Sequence, residues 1–395
     1  MRAVIDSIRE TVMVREIRRI IHDRNLFLIV LLAPVFYLFF YGTVYRNNVI
    51  HSLKLGVIDA DHTSFSRLML RQMKADPVLK IHPYATEPEA IEAIHRQRID
   101  AYLIIPAKSE DRIKKGESIT IPLADNSACM MVNNEASKRV NQIIQYLNTV
   151  IGAGNWMVQG ANQKAAVSRA LPITTQINPI SNPGYGYANF ILIGLFLLII
   201  QQLLLMATAE SMAKENQEST LPDLMAAAQN NPVRLIIGKS APYLIFFGVY
   251  YIFTAAVVMP VMGLTMAADW LELILAMIPF LLVVIEIGFL IGSFFQNKIQ
   301  ALQILAITSV PVFLLCGFSW PFYTLPLVIK VISYTLPSYF IMASYQSMTL
   351  MGASVGHNLH YWLVLWVQAG IYGIILYRRL QFLRTDRVKK HGTDQ

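Results

Sequence analysis

The chain of 395 residues is 55% hydrophobic and only 15% charged, with a mean hydropathy of +0.45. Soluble domains carry roughly 25% charged residues, so a wholly soluble fold is excluded. The net charge of +8 does not indicate nucleic acid, because Met1 to Arg24 and Arg378 to Gln395 together hold 12 basic and 6 acidic residues beside apolar segments, without a zinc, RNP or helix-turn-helix pattern.

In chain order, residues 1–24 come first, with six arginines and four acids. Ile5, Ile8 and Val12 lie on one helical face and Met13, Ile17 and Ile20 on the next, which predicts a cytoplasmic interfacial helix. The apolar run Leu26 to Tyr45 is too long for the core of a cleaved signal peptide and reads as an uncleaved first span, residues 25–46. A polar block, residues 47–187, follows. Arg46 to Gly184 hold 16 basic and 12 acidic residues, 28 of the chain's 58 charges, which places this block outside the bilayer. Strand character at Leu53 to Asp59, Ala101 to Ile105 and Ile119 to Leu123 alternates with helical spacing at Ser64 to Lys74 and Glu87 to Gln97, predicting an inserted α/β domain. Thr86 and Glu89 have the spacing of a capping box, and a long amphipathic helix or broken pair is expected from Met130 to about Gln163.

Five further apolar runs follow, at Ala188 to Ala209, Ser240 to Thr265, Leu271 to Phe295, Ala301 to Phe318 and Leu359 to Tyr377, each close to the ~20 residues that cross a bilayer. A seventh stretch, Leu325 to Leu350, is interrupted by Pro326 and Pro337 and preceded by Pro321. With six spans, both basic termini share one side, and the opposite loops, Met266 to Trp270 and Ser319 to Asn358, contain one basic residue, Lys330. Seven spans would place the Arg/Lys-rich tail outside, against the positive-inside rule. The fold class predicted is therefore an α-helical polytopic membrane protein with six transmembrane helices and an inserted α/β periplasmic domain. Residues 188–378 carry spans two to six, 319–358 form a re-entrant or interfacial outer segment, and 379–395 form a basic cytoplasmic tail. Cys129 and Cys316 fall in the polar block and an apolar segment, so no disulfide framework is available.

Between spans two and three, residues 210–239 carry Leu221, Leu224, Met225 and Ala228 at i, i+3, i+4 and i+7. Ser219 or Thr220 is available as N-cap, Pro222 sits in the first turn, and Asn230, Asn231 and Pro232 form the stop. This predicts a short amphipathic helix at the cytoplasmic surface, resting on lipid headgroups or docking on a partner.

Three motifs carry a family resemblance. Lys214-Glu215-x-x-Glu218-Ser219-Thr220-Leu221-x-x-Leu224, with Pro232 and Ile236-Ile237-Gly238-Lys239-x-x-Pro242-Tyr243, resembles the cytoplasmic coupling segment of type 2 ABC exporter permeases. Cys316-Gly317-Phe318-Ser319-Trp320-Pro321, Leu325-Pro326 and Leu336-Pro337-Ser338-Tyr339-Phe340 resemble the outer end of their fifth span and the re-entrant segment after it. Gly56-Val57-Ile58-Asp59-x-Asp61, Ser64-x-Ser66-Arg67 and Ile99 to Pro106 resemble the large external domain of one branch of that family. The resemblance spans nearly the whole chain in order. It departs at Ser219, where the family usually has Gly, and in a loop about one residue longer before Pro232.

The resemblance implies a multi-pass permease of the bacterial inner membrane, not itself an enzyme, exporting hydrophobic or amphiphilic substrates such as drugs or lipids. It implies a second permease subunit, the same or related, and two ABC ATPase subunits that hold ATP and magnesium, with no cofactor in this chain; a periplasmic adaptor is left open. Glu215, Glu218, Thr220, Leu221, Leu224, Met225, Gly238 and Lys239 would couple to the ATPase. Gly317, Phe318, Trp320, Pro321, Phe322, Pro326, Pro337 and Tyr339 would lie on the substrate path. The alternative, from a different class, is a membrane-anchored sensor or scaffold whose external domain binds a ligand.

Other residues are weighed on their own chemistry. Gly238-Lys239-Ser240 has the ending of a phosphate-binding loop, but Val233 occupies a position that needs Gly and no strand precedes it. Glu286 lies deep in the fourth span, where a charge costs about 2.5 to 3.5 kcal/mol, and reads either as a proton or cation relay or as a hydrogen-bonded packing group. Gly288-x-x-x-Gly292 beside it favours close helix approach. His357 and His360 lack the acids of a metal site and read as interfacial, and His51, His62, His82 and His95 show no ligand spacing. No catalytic residue and no metal site is expected.

Overall fold

The computed structural model describes residues 11–44, 52–125, 130–158, 162–163, 187–262, 270–318 and 322–393. Two compact units result: Met1–Arg46 with Pro179–Gln395, and Asn47–Asn178. The expectations at Ile5, Ile8, His51, Cys129, Trp320 and Pro321 fall outside the described residues.

The first unit opens with α1 (Val12–His22), whose buried stripe is Val12, Glu16 and Ile20 at four-residue spacing. Asp23 separates it from α2 (Arg24–Val44) and caps the new helix, its Oδ1 accepting from the N–H groups of Asn25 and Leu26 at 2.9 and 3.4 Å.

Within the second unit, β1 (Leu53–Asp59), α3 (Ser64–Ala75), β2 (Leu79–Pro83), α4 (Glu87–His95), β3 (Ala101–Ile105), α5 (Ser109–Lys114), β4 (Leu123–Asp125) and α6 (Met130–Val158) follow in sequence. The sheet order is β2-β1-β3-β4, with β1 parallel to both neighbours and β4 antiparallel to β3. One face buries Leu53, Leu55, Val57, Leu103 and Ile105 against Met69 and Met73 of α3 and Val140 and Leu147 of α6. The expected strand at Ile119 to Leu123 is displaced. Ile119 and Ile121 pack on the core from irregular backbone, and the ladder begins only at Leu123. The Thr86 capping box does not form either, since Glu89 Oε2 accepts from Ala85 N–H at 3.3 Å.

The first unit resumes with α7 (Tyr187–Gln217), α8 (Leu221–Ala227), α9 (Pro232–Val261), α10 (Trp270–Gly292), α11 (Lys298–Leu315), α12 (Leu327–Thr335), α13 (Pro337–Met351) and α14 (Val355–Thr393). Among the described residues six helices are long and apolar enough to cross a membrane: α2, α7, α9, α10, α11 and α14. The proline-broken stretch is the pair α12 and α13, bent by 88° at Leu336.

Local irregularities have local causes. The π turns at Leu28–Leu32 and Thr254–Val258 each end two residues before a proline, Pro34 and Pro260. Proline supplies no N–H and crowds the carbonyl four residues back, and the wider turn relieves both. The Gly288 and Gly292 positions let α10 meet α7 backbone to backbone: a Cβ at the first would fall on Thr208 Oγ1, and at the second on the Ala209 carbonyl.

Candidate functional site: an ionic clamp at the loop between spans two and three

The helix α7 does not stop where its apolar run ends. Ala, Met, Lys, Glu and Gln are good helix formers, and the charges of residues 210–217 all find a place, so helix continues to Gln217. The next helix begins at Pro232, seven residues before Lys239. The loop expected over 210–239 therefore shrinks to 218–231.

A left-handed turn closes α7. Ser219 has φ +58°, its N–H donates to Asn216 O at 3.3 Å, and Thr220 N–H donates to Glu215 O at 3.0 Å. This pattern favours Gly at the left-handed position, where Ser stands in this chain. Thr220 does not cap α8 through its side chain; its hydroxyl donates to Glu215 instead.

The apolar stripe of α8 also departs from expectation. Leu221, Leu224, Met225 and Ala228 are all buried in the first unit's own core. Residues already packed inside the chain are not anchors for a partner's groove. The outward face of α8 and of the turn that follows it is instead Pro222, Asp223, Ala226, Gln229 and Asn230.

Beneath α8 lies a cluster of charges. Lys239 Nζ donates to Glu16 Oε2 at 2.6 Å and lies 3.5 Å from Glu215 Oε1, and all three side chains have 0% exposure. Glu16 Oε1 also accepts from the Tyr243 hydroxyl at 2.7 Å and from the Ser211 hydroxyl. Glu215 is held by Arg15 at 3.2 Å and by Arg19, which reaches on to Glu218 at 2.8 Å. Ser211 and Glu215, Lys239 and Tyr243, and Arg15 and Arg19 are i, i+4 pairs, so one face of each of three helices converges here. Gly238 sets the spacing, since a Cβ there would lie 2.8 Å from Val12 Cβ of α1.

A second tie lies next to the first. Asp23 pairs with Lys214 and lies 3.7 Å from Lys298 Nζ, which sits 3.2 Å from Glu210 Oε1 as an ion pair without hydrogen-bond alignment. Burial alone would raise the Asp23 carboxyl, but the Lys214 hydrogen bond, the Asn25 N–H and the two lysine charges hold it below the usual carboxylate range. At the end of α10, Asn216 Nδ2 donates to Ser293 O and Phe295 O, and Arg379 Nη2 donates to Ser293 O. These donors satisfy carbonyls that a helix end leaves open. The whole is a mechanical linkage: α1, the polar end of α7 and the start of α9 cannot separate without exposing unpaired buried charge.

Sequence reasoning placed Glu215, Glu218, Thr220, Gly238 and Lys239 in one loop, and the structure gathers them, with Gly238 acting as a contact site and Lys239 as a helix-interior cation. It missed Arg15, Glu16, Arg19, Asp23 and Ser211, and it named Tyr243 only within the motif, without a role. The available signal was Glu16, a charge on the helical stripe between Val12 and Ile20, opposite a lysine at the head of an apolar run.

The second group of expected residues lies in the same unit. Gly317 follows α11 with φ +75°, and a Cβ on it would lie 3.3 Å from Phe322 Cβ. Phe322 stacks on Tyr339 with ring centres 3.9 Å apart, and Tyr334 lies 5.4 Å from Phe322. The Phe318 ring takes the space beside Gly194 of α7 and meets Phe313 edge-on at 6.0 Å. Pro326 is the exposed N-cap residue of α12, and Pro337 is the buried first residue of α13. Glu286 faces α14, with Oε1 3.0 Å from where a Cβ on Gly373 would stand, and its buried Oε2 meets no donor among the described residues.

The six apolar helices among the described residues, the broken pair and the inserted α/β unit define a polytopic membrane protein. Residues 25–378 match the ABC-2 family transporter proteins. The chain is also 22% identical over 376 residues to the probable multidrug ABC transporter permease YbhS of Escherichia coli K12, and equally to that of Escherichia coli O157:H7, covering 95% of each chain. The chain belongs to the ABC-2 transporter family and is a membrane permease subunit of an ABC exporter. Membership implies partnership with ABC ATPase components, and the sensor or scaffold reading is not favoured.

Proposed function

We propose that this permease moves hydrophobic or amphiphilic molecules, drug-like or lipid-like, outward across a bacterial inner membrane, driven by two separate ATPase subunits that bind ATP and magnesium. A second permease subunit, the same or related, completes the translocation unit. Both termini and the 218–231 loop lie in the cytoplasm in this reading, and the α/β unit lies outside. The multidrug designation of the Escherichia coli relatives supports the substrate class.

The observation that carries the proposal is the buried clamp under α8. A short helix whose apolar side is packed inward and whose outer side is bare sits on charges shared by three other helices. A push on α8 from an ATPase is thereby transmitted to α1 and to spans two and three together. The aromatic cluster of Phe322, Tyr334 and Tyr339, with Gly317, then forms the outer part of the path, and Pro326 and Pro337 hold the bend that encloses it.

The test is site-directed cross-linking in the assembled complex. Cysteine at Ala226, on the outer face of α8, should cross-link to the ATPase subunit, whereas cysteine at Leu224 should not. Cross-linking at neither Ala226 nor Gln229, in a complex that still hydrolyses ATP, would remove α8 from the coupling surface.

In the α/β unit, the crevice at the carboxyl ends of β1 and β3 is where an open parallel sheet would take a ligand. It is filled by the chain itself: Glu110 accepts from the N–H groups of Ser64 and Phe65, and Asp61 from those of Ser109 and Glu110. A small-anion sensor at that crevice is correspondingly disfavoured.

A further inference from the structure

We propose that the cleft between α2, α7 and α11 binds a neutral amphiphile that presents one hydrogen-bond donor to Gln201; this rests on the exporter reading and narrows its substrate class. The cleft has a volume of about 370 Å³, within the ~300 to 1,000 Å³ of small-molecule sites. Its walls are leucine, isoleucine, valine and methionine side chains, closed by Tyr37 and Tyr41 of α2 and Phe313 of α11. Phe313 also meets Phe318, so the cleft abuts the aromatic region assigned above to the path.

No acidic or basic side chain among the described residues lines it. A charged ligand entering there would leave water and find no counter-charge, which selects against ions. Besides the tyrosines, three polar side chains reach the cleft, and two of them are already used. Ser309 donates to Ala306 O at 2.7 Å, and Gln202 Nε2 donates to Leu305 O at 2.9 Å, which ties α7 to α11.

Gln201 is different. It is 5% exposed, and its buried Oε1 meets no donor among the described residues. Buried acceptors are nearly always paired, and at membrane depth water is not there to replace a missing partner. An O–H or N–H on an otherwise apolar molecule fits that vacancy, and the surrounding wall takes the remainder.

Full-length permease in lipid nanodiscs, titrated with dansyl butylamide and with its N-methyl analogue, tests this. The first probe has one sulfonamide N–H, the second has none, and dansyl emission reports binding. The wild type should bind the N–H probe about tenfold more tightly. Gln201→Met should bind both probes with the weaker affinity. Val310→Trp, at an exposed position of the cleft wall, should bind neither.

Equal affinity of the wild type for the two probes, a tenfold preference retained in Gln201→Met, or undiminished binding by Val310→Trp would each overturn the proposal. Export of a hydrophobic dye by the whole complex is followed in parallel. Export intact alongside such a result removes the cleft assignment alone, whereas no export by the wild-type complex removes the reading on which it rests.

Discussion

In the α/β unit Glu110 and Asp61 keep part of their surface and close helix ends, those of α3 and α5, while in the membrane unit Glu16, Glu215 and Lys239 have no exposed surface. Arg96 and Glu92 of the α/β unit, paired at 2.7 Å, retain 59% and 53% exposure. Exposed pairs contribute about 0 to 1 kcal/mol, because water screens them and the free side chains lose entropy. Breaking a buried pair by removing one partner costs about 3 to 5 kcal/mol. The same residue types are therefore replaceable in one unit and mutually dependent in the other.

The largest expected effect follows from that dependence. Lys239→Met removes the cation that contacts both Glu16 and Glu215, and should lower the stability of the membrane unit by about 3 to 5 kcal/mol, read as earlier thermal unfolding in detergent. An unshifted transition would mean that the clamp is not closed in the folded protein. Next in size is Gly292→Val, which drives a side chain into the Ala209 carbonyl and Met212. It should cost about 1 to 3 kcal/mol by separating α10 from α7, visible in the same assay.

Ser219→Gly works in the other direction. The left-handed turn strains a residue with a Cβ, so glycine should stabilise the end of α7 by about 0.5 to 1 kcal/mol, measured as slower amide exchange over residues 215–221. The smallest effect is confined to the α/β unit. Hydrogen bonds from Lys114 and Ser64 and the Phe65 N–H pull Glu110 down to about 2. A carboxyl depressed on folding contributes stability that is present above its unfolded value near 4.5 and is lost as pH falls towards 2. Glu110→Gln should therefore flatten the stability profile of that unit between pH 4.5 and 2 and leave the membrane unit's profile unchanged.

Apolar run length alone located the six spans and, through Pro326 and Pro337, the broken pair, because a bilayer demands a long uncharged helix and proline interrupts one. The short edge strand β2 escaped notice: five residues ending in Pro83 alternate too briefly to stand out. The helix α9 was expected to start at Ser240, since Arg234 and Lys239 look like a polar boundary when their partners are unseen. The stripe of α8 was visible in the sequence, but periodicity tells which residues share a face and not what covers it. The clamp was half legible for the same reason. Glu215 and Lys239 stand in one motif, while Glu16 lies about two hundred residues before Glu215, and only the fold brings it between them.

The central claim, that α1 and the segment joining spans two and three act as one body through Glu16 and Lys239, is most directly tested by a double-mutant cycle. Glu16→Gln, Lys239→Met and the double variant are each reconstituted with the ATPase, and substrate-stimulated ATP hydrolysis is compared with thermal stability. The account predicts that each single variant loses both, and that the double variant, with no unpaired charge left in the cluster beyond those Arg15 and Arg19 neutralise, recovers about 0.5 to 3 kcal/mol of the summed loss in stability together with part of the stimulation. Losses that add to within about 0.5 kcal/mol, or stimulation that stays at wild-type level in both single variants, would contradict it.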